Sequence, residues 1–171
     1  MNLVLIGMMG SGKSTVGKIM AGKLKWKFLD SDRLIEQEEK RSIPEIFQGD
    51  GEASFREKEK KMIVRLARED RCVIAAGGGA PVSPEFWDAV SKSSSVIWLK
   101  AKPETLFTRL KDGGAKSRPL LADSLSVEKI SRILKAREPF YQKANWTIET
   151  DGLKPEEAAD KILRLSLVKS K

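Results

Sequence analysis

The stretch LIGMMGSGKSTVG, residues 5–17, decides the fold. It closes a short apolar run, passes through three glycines and reaches a lysine followed by two hydroxyls. Gly7, Gly12, Lys13 and Ser14 stand at the G-x-x-x-x-G-K-S spacing of a phosphate-binding loop. The glycines let the backbone wrap phosphate oxygens and turn several N–H groups inward. Lys13 adds a point charge near the β- and γ-phosphates, Ser14 can place its hydroxyl on Mg²⁺, and the helix expected next points its positive end at the same anion. A plain glycine turn would also fit the composition. A strand before and a helix after are what a nucleotide site requires, and both are expected here. The nucleotide-binding residues expected from the loop are Gly10, Ser11, Gly12, Lys13, Ser14 and Thr15.

Outward from this loop, short apolar runs alternate with amphipathic stretches. The expected strands are 2–7, 27–30, 72–77, 95–100 and 145–150. The expected helices lie near 13–25, 32–40, 52–69, 84–91, 103–111, 126–142 and 155–168. Most strands lack strict alternation, as expected where both faces are covered. Strands alternating with helices predict an α/β fold with a five-stranded parallel sheet and right-handed crossovers. The 171 residues suit a single domain, 1–171. Two segments break the rhythm. Residues 43–51 hold a short helix at most. Residues 112–124, DGGAKSRPLLADS, carry glycines, a proline and charges without a period, and a loop of that length reads as a lid.

Composition excludes several classes. Histidine is absent, so no His-based triad and no His-ligated metal is available. The one cysteine, Cys72, cannot form an internal disulfide; it lies in an apolar run, reads as a buried thiol and suits a reducing cytoplasm. No apolar run is long enough to cross a bilayer, and the N-terminal MNLVLIG reads as a buried strand and not a signal peptide. The net charge of +8 favours an anionic ligand or a nucleic acid, but the basic residues are scattered, often beside acids as in REKEKK. A nucleic-acid module would need a basic stripe with aromatic platforms, and none is apparent. The D-x-x-G and N-K-x-D patterns expected of a GTPase are missing. A small chain with a lid points to phosphoryl transfer onto a small acceptor.

Beside the phosphate loop, LDSD at 29–32, FREKE at 55–59, GGGA at 77–80, RPLL at 118–121 and AREPFY at 136–141 follow in order. In that order and approximate spacing the chain resembles the shikimate kinases over nearly its whole length. The resemblance implies strand order 2-3-1-4-5 in a nucleoside-monophosphate-kinase-like P-loop fold, with a substrate-binding subregion at about 31–61. It also implies Mg²⁺, ATP as co-substrate, shikimate as acceptor, a monomer and a cytoplasmic location. A kinase for another hydroxy acid such as gluconate is the alternative, although such relatives tend to carry a histidine-containing segment that this chain lacks.

Each motif carries chemistry. Asp30 and Asp32 are expected at the carboxyl edge of the sheet, where one acid can hold a metal-bound water and the other accept a hydroxyl proton. One of them, Asp32 for instance, could instead simply cap the next helix. The resemblance gives Asp30 the metal's outer shell, with Ser14 as the direct ligand, and makes Asp32 the candidate base. Phe55, Glu59, Met62 and Leu66 share a helix face that Arg56 borders, and Val127, Ile130, Leu134, Arg137 and Tyr141 form a second inward stripe. Two inward guanidiniums suit an acid's carboxylate. The resemblance assigns Arg56 and Arg137 to the shikimate carboxylate, with Glu59 orienting them. Gly77, Gly78 and Gly79 are expected where the backbone must approach a ring or phosphate too closely for a Cβ. Some relatives carry Ser or Thr just before these glycines, where this chain has Ala75 and Ala76. Arg118, stiffened by Pro119, is expected to close over the transferring phosphoryl group. Lys111 stands where relatives often place an arginine over adenine, and residues 151–155 are the other expected edge of the base pocket.

Overall fold

The structure, a computed structural model, describes residues 1–111, 119–121 and 125–168. Five strands, β1 (Asn2–Ile6), β2 (Lys27–Asp30), β3 (Cys72–Ala75), β4 (Ser94–Lys100) and β5 (Trp146–Glu149), pair throughout in parallel in the order β2-β3-β1-β4-β5. This is the expected order 2-3-1-4-5. The helices are α1 (Lys13–Leu24), α2 (Ser31–Glu39), α3 (Ile43–Leu66), α4 (Pro84–Val90), α5 (Pro103–Lys111), α6 (Val127–Tyr141) and α7 (Pro155–Val168).

β1 shows why the strands read as continuous apolar runs. Leu3 and Leu5 face a core with Val73, Ile97, Val16 and Ile162, against α1 and α7. Val4 and Ile6 face the other core with Ile74, Val96, Phe55 and Phe86, against α3 and α4. Each such side chain contributes roughly 1.5–3 kcal/mol by leaving water. Cys72 is buried in β3, and burial pushes its thiol up. A third cluster, with Met8, Met9, Leu106, Leu110 and Ile130, packs beneath the phosphate loop.

The carboxyl edge is where the chain departs from regular structure. Register sets Asp30 beside Ala75, and the ladder continues one step further through the Ala76 N–H on Leu5 O at 3.0 Å. The Gly77 N–H then donates to the buried Ser31 hydroxyl at 2.9 Å. The cap of α2 is Asp30, which accepts from the Arg33 N–H at 3.4 Å. Asp32, the example given for a capping role, instead sits in the first turn of α2, a position from which its side chain reaches the cleft.

The first limb of α3 is a well-capped helix. Ser42 and Glu45 form a reciprocal capping box, with Pro44 in the first turn. At Gly51 the backbone takes φ +82° and ψ 166°, which kinks α3 into its second limb. Outside glycine that conformation is strongly disfavoured. Arg41 grips Asp50 through two nitrogens at 3.0 and 2.6 Å, and so pins the end of the first limb.

Candidate active site

The nucleotide cleft opens at the carboxyl edge with a volume of about 470 Å³. The phosphate loop forms its floor. α1 begins at Lys13 behind Gly12 as its N-cap, no side chain caps it, and its first turn holds no acid, so its leading N–H groups face the cleft as an anion cradle. Lys13 Nζ lies back along the loop, donating to Gly7 O at 2.9 Å and Met8 O at 3.1 Å. The Ser14 hydroxyl donates to Asp30 Oδ2 at 2.6 Å. These hard oxygen donors at the foot of the loop fit Mg²⁺.

On the base side the structure places the two basic residues of α5 differently. Lys111 ends α5 exposed and does not line the cleft; Arg109 does. Two residues along a helix point about 200° apart, which turns Arg109 inward and Lys111 outward. Arg109 donates to Thr150 O at 3.1 Å and lies 3.4 Å from Gly10 O, which ties the phosphate loop to the segment after β5. Leu153 and Pro155 form the wall on that side, within the 151–155 segment singled out from the sequence.

The acceptor cleft draws on the phosphate loop, α2, α3, the glycine run after β3, residues 119–120 and α6. Arg56 donates through Nη1 to Glu59 Oε2 at 2.8 Å, and through Nη2 and Nε to Glu52 Oε1 at 3.0 and 3.3 Å. Its guanidinium carbon lies 5.4 Å from the Phe55 ring centroid and 6.0 Å from that of Phe47. Glu59 is 2% exposed and Arg137 8%. Burial raises the Glu59 carboxyl above its ordinary range, with Arg56 opposing the shift and the Asp32 charge adding to it. Burial also works against the Arg56 charge, but Glu59 and Glu52 outweigh it and hold the guanidinium protonated. The cleft has about 50 Å³ of open volume, far below the roughly 300 Å³ of a small ligand pocket.

The glycine run shows why it must be glycine. None of Gly77, Gly78 and Gly79 has a positive φ, so no turn demands it. A Cβ on Gly77 would overlap Glu59 Oε1 and lie 2.6 Å from Asp32 Oδ1. One on Gly78 would lie 3.2 Å from Arg137 Nη1, and one on Gly79 would overlap Arg56 Nη1. Each missing side chain admits at least one charged group of the site. The close approach expected toward a ring or phosphate is therefore, in this structure, an approach to the protein's own charges. Tyr141, fully buried on α6 one turn beyond Arg137, donates to Gly78 O at 2.6 Å and clamps the run in place.

Met9, Asp32 and Gly78 line both clefts. Arg118 and most of the expected lid, 112–124, lie outside the described residues; Pro119 and Leu120 line the acceptor cleft. Several contributors escaped sequence reasoning: Arg109, Glu52, Ser31 and the Tyr141 hydroxyl. Arg109 had a signal. It borders the buried pair Leu106 and Leu110 on α5, much as Arg56 borders its own stripe.

A phosphate-loop α/β fold, with a cleft lined by two guanidiniums sharing a wall with the nucleotide cleft, defines a small-molecule kinase of the nucleoside-monophosphate-kinase type. The family model described as shikimate kinase matches residues 9–166. The shikimate kinase of Caldicellulosiruptor saccharolyticus is 40% identical over 168 residues, spanning 98% of this chain and 96% of its own. That of Thermodesulfovibrio yellowstonii is 42% identical over 163 residues, spanning 95% and 93%. The solved shikimate kinase from Acinetobacter baumannii in complex with shikimate has a TM-score of 0.94 at 37% identity, covering 99% of this chain and 95% of that one. A deoxyadenosine kinase from M. mycoides with bound dCTP, 16% identical with a TM-score of 0.66, shares the fold alone. The chain belongs to the shikimate kinase family.

Proposed function

We propose that the chain transfers the γ-phosphate of ATP to the 3-hydroxyl of shikimate, giving shikimate 3-phosphate and ADP for chorismate and aromatic amino acid synthesis. One observation carries the assignment of roles: Asp32 lines both the nucleotide cleft and the acceptor cleft. A hydroxyl held in the second cleft and a phosphate held in the first meet beside its carboxylate. Arg56 and Arg137 clasp the acceptor's carboxylate, Glu59 keeps Arg56 oriented, and Gly77, Gly78 and Gly79 leave room for these groups.

In the transfer step, Asp32 accepts the proton of the attacking hydroxyl as the oxygen–phosphorus bond forms. The bond to the β-phosphate oxygen breaks, and ADP leaves with that electron pair. Lys13 exchanges the loop carbonyls for phosphate oxygens. Ser14 would hold Mg²⁺ directly and Asp30 through water; when bound, the ion offsets charge on the β- and γ-phosphates. Arg118 is assigned to the phosphoryl group and the lid to the exclusion of water. Arg109 and Pro155 bound the base; Lys111 lies outside that pocket. We place the enzyme in the cytoplasm as a monomer, acting on small molecules without nucleic acid or membrane. In support, Cys72 is a buried free thiol, and no helix among the described residues is long and apolar enough to cross a membrane.

A coupled ADP-release assay with shikimate, quinate, gluconate and nucleoside monophosphates tests this. Shikimate should lead by about a hundredfold or more in kcat/KM, since a buried guanidinium, a half-buried one and Asp32 must all be matched. Equal or faster turnover of gluconate would replace shikimate with the alternative hydroxy acid.

A further inference from the structure

Five charged side chains converge where the acceptor acid is assigned, and Glu59 stands among them as the one buried acid of the described residues. On its own helix, Arg56 reaches Glu59 Oε2 at 2.8 Å and is shared with Glu52, which lies half exposed at the rim. α6 brings the Arg137 charge, and Arg137 also bonds the Tyr141 side chain. α2 brings Asp32. The point a Cβ on Gly77 would occupy touches Glu59 Oε1 and lies 2.6 Å from Asp32 Oδ1. The two carboxylates thus face each other across the space of a single methyl group. On the outer side of α3, Lys60 and Glu85 pair with each other at 3.5 Å.

Inside the cleft, then, Asp32 and Glu59 balance Arg56 and Arg137. A carboxylate laid against the two guanidiniums adds a third acid to two bases, in a place drawn out of water. Such an excess is costly, and a buried carboxyl relieves it by binding a proton. The ligand's own carboxylate must stay charged to hold both guanidiniums, and Asp32 is needed ionised to take the hydroxyl proton. Glu59 remains. Burial and the Asp32 charge already hold it above its ordinary value, with Arg56 and Arg137 opposing, and a further carboxylate pushes the same way. Glu59 also lines a second cavity of about 520 Å³ behind α3 and α6, a route by which solvent can deliver the proton.

We propose that the acceptor acid enters the cleft together with one proton from solvent, which Glu59 takes up and keeps until the acid or its phosphorylated product leaves. Glu59 is then more than a support for Arg56: it adjusts the charge of the cleft to its ligand. The uptake depends on the assignment of the acceptor's carboxylate to Arg56 and Arg137. Binding that takes up a proton tightens as pH falls and weakens as pH rises, by at most tenfold per pH unit for one proton.

Calorimetry with shikimate alone, in two buffers of different ionisation enthalpy, counts the protons. Between about pH 5 and about pH 8, wild type should take up at its maximum about half a proton or more, and affinity should fall there about threefold or more per pH unit. Glu59→Gln, a neutral stand-in for the protonated acid, should bind shikimate without uptake and with affinity changing less than about twofold over that range. Glu52→Gln, which removes the rim acid, should keep the uptake. With glutamate carboxyl carbons labelled by carbon-13, one wild-type resonance should move toward its protonated position when shikimate is added. Asp32, unlabelled, cannot produce that shift. Shikimate binding without uptake in wild type would overturn the proposal and leave the acceptor assignment standing. Equal uptake in Glu59→Gln, or no shifted glutamate resonance, would put the proton on another group and overturn it too. No binding of shikimate at all would strike the acceptor assignment, and the proton uptake with it.

Discussion

The two halves of the site are made in opposite ways. The phosphate side is local: Gly7 to Thr15 supply loop, lysine, hydroxyl and helix start from one uninterrupted stretch, and the anion-binding groups are largely backbone N–H. The acceptor side is assembled mainly from α3, the turn after β3 and α6, and its binding groups are buried or half-buried charges held by other side chains. Backbone donors are fixed once the loop folds. Guanidiniums drawn out of water depend on every neighbour that keeps them in place. The first half should therefore resist distant substitutions, and the second should report them as changes in acceptor binding.

Asp32→Asn should produce the largest effect because Asp32 belongs to both halves. Loss of a positioned base costs typically 10²- to 10⁴-fold, so kcat should fall by about that much with little change in ATP affinity. Turnover near wild type would remove Asp32 as the base. Arg137→Ala confines the damage to the acceptor half: binding of shikimate should weaken by roughly 2–5 kcal/mol, with the KM for ATP unchanged. Equal losses for both substrates would erase the contrast between the halves.

Gly79→Ala sharpens it. The added Cβ overlaps the far end of the Arg56 side chain, which can move at little cost to folding but not without displacing its guanidinium. A displacement of about 1 Å costs up to about a hundredfold, so the KM for shikimate should rise about ten- to a hundredfold while Tm changes little. A fall in Tm with an unaltered KM would mean that the glycine serves the fold and not the site.

The smallest effect concerns the first limb of α3, which carries Ile43 and Phe47 in the acceptor wall. Arg41 holds the Asp50 carboxyl below its ordinary value near 3.8, and Lys58, with Arg41, holds Glu39 below its own near 4.5. Stabilisation from lowered carboxylates is present above those ordinary values and lost as pH falls through the lowered ones. Below about pH 4 the first limb should lose hydrogen-exchange protection ahead of β1 and β4, after correction for intrinsic rates. Simultaneous loss in limb and sheet would show that Arg41 is no independent latch. The limb bears on function because Ile43 and Phe47 stand in the acceptor wall.

Much of the fold was legible because its signals are short-range. The five strands are brief runs, the central three covered on both faces, and their observed ends fall within two residues of the expected ones. Strand order came through family resemblance, not from any single strand. The acceptor half was legible only as residue types on helix faces: Arg56 and Arg137 border or continue inward stripes. Which neighbours they meet was not, because α3 and α6 are joined by no local signal. The choice of Arg109 over Lys111 turned on helical phase, and Asp30 became the cap because β2 ends one residue before α2 starts.

By itself, the order of residues determined the phosphate cradle, the alternation of strands and helices and the absence of histidine chemistry, since each depends on near neighbours or on composition. Only the tertiary structure decided that three glycines make room for Glu59, Arg137 and Arg56, and that Asp32 faces two clefts at once. The physical reason is range: backbone hydrogen bonding and helix periodicity act over a few residues. The burial and pairing of a charge depend on whatever the whole fold brings against it.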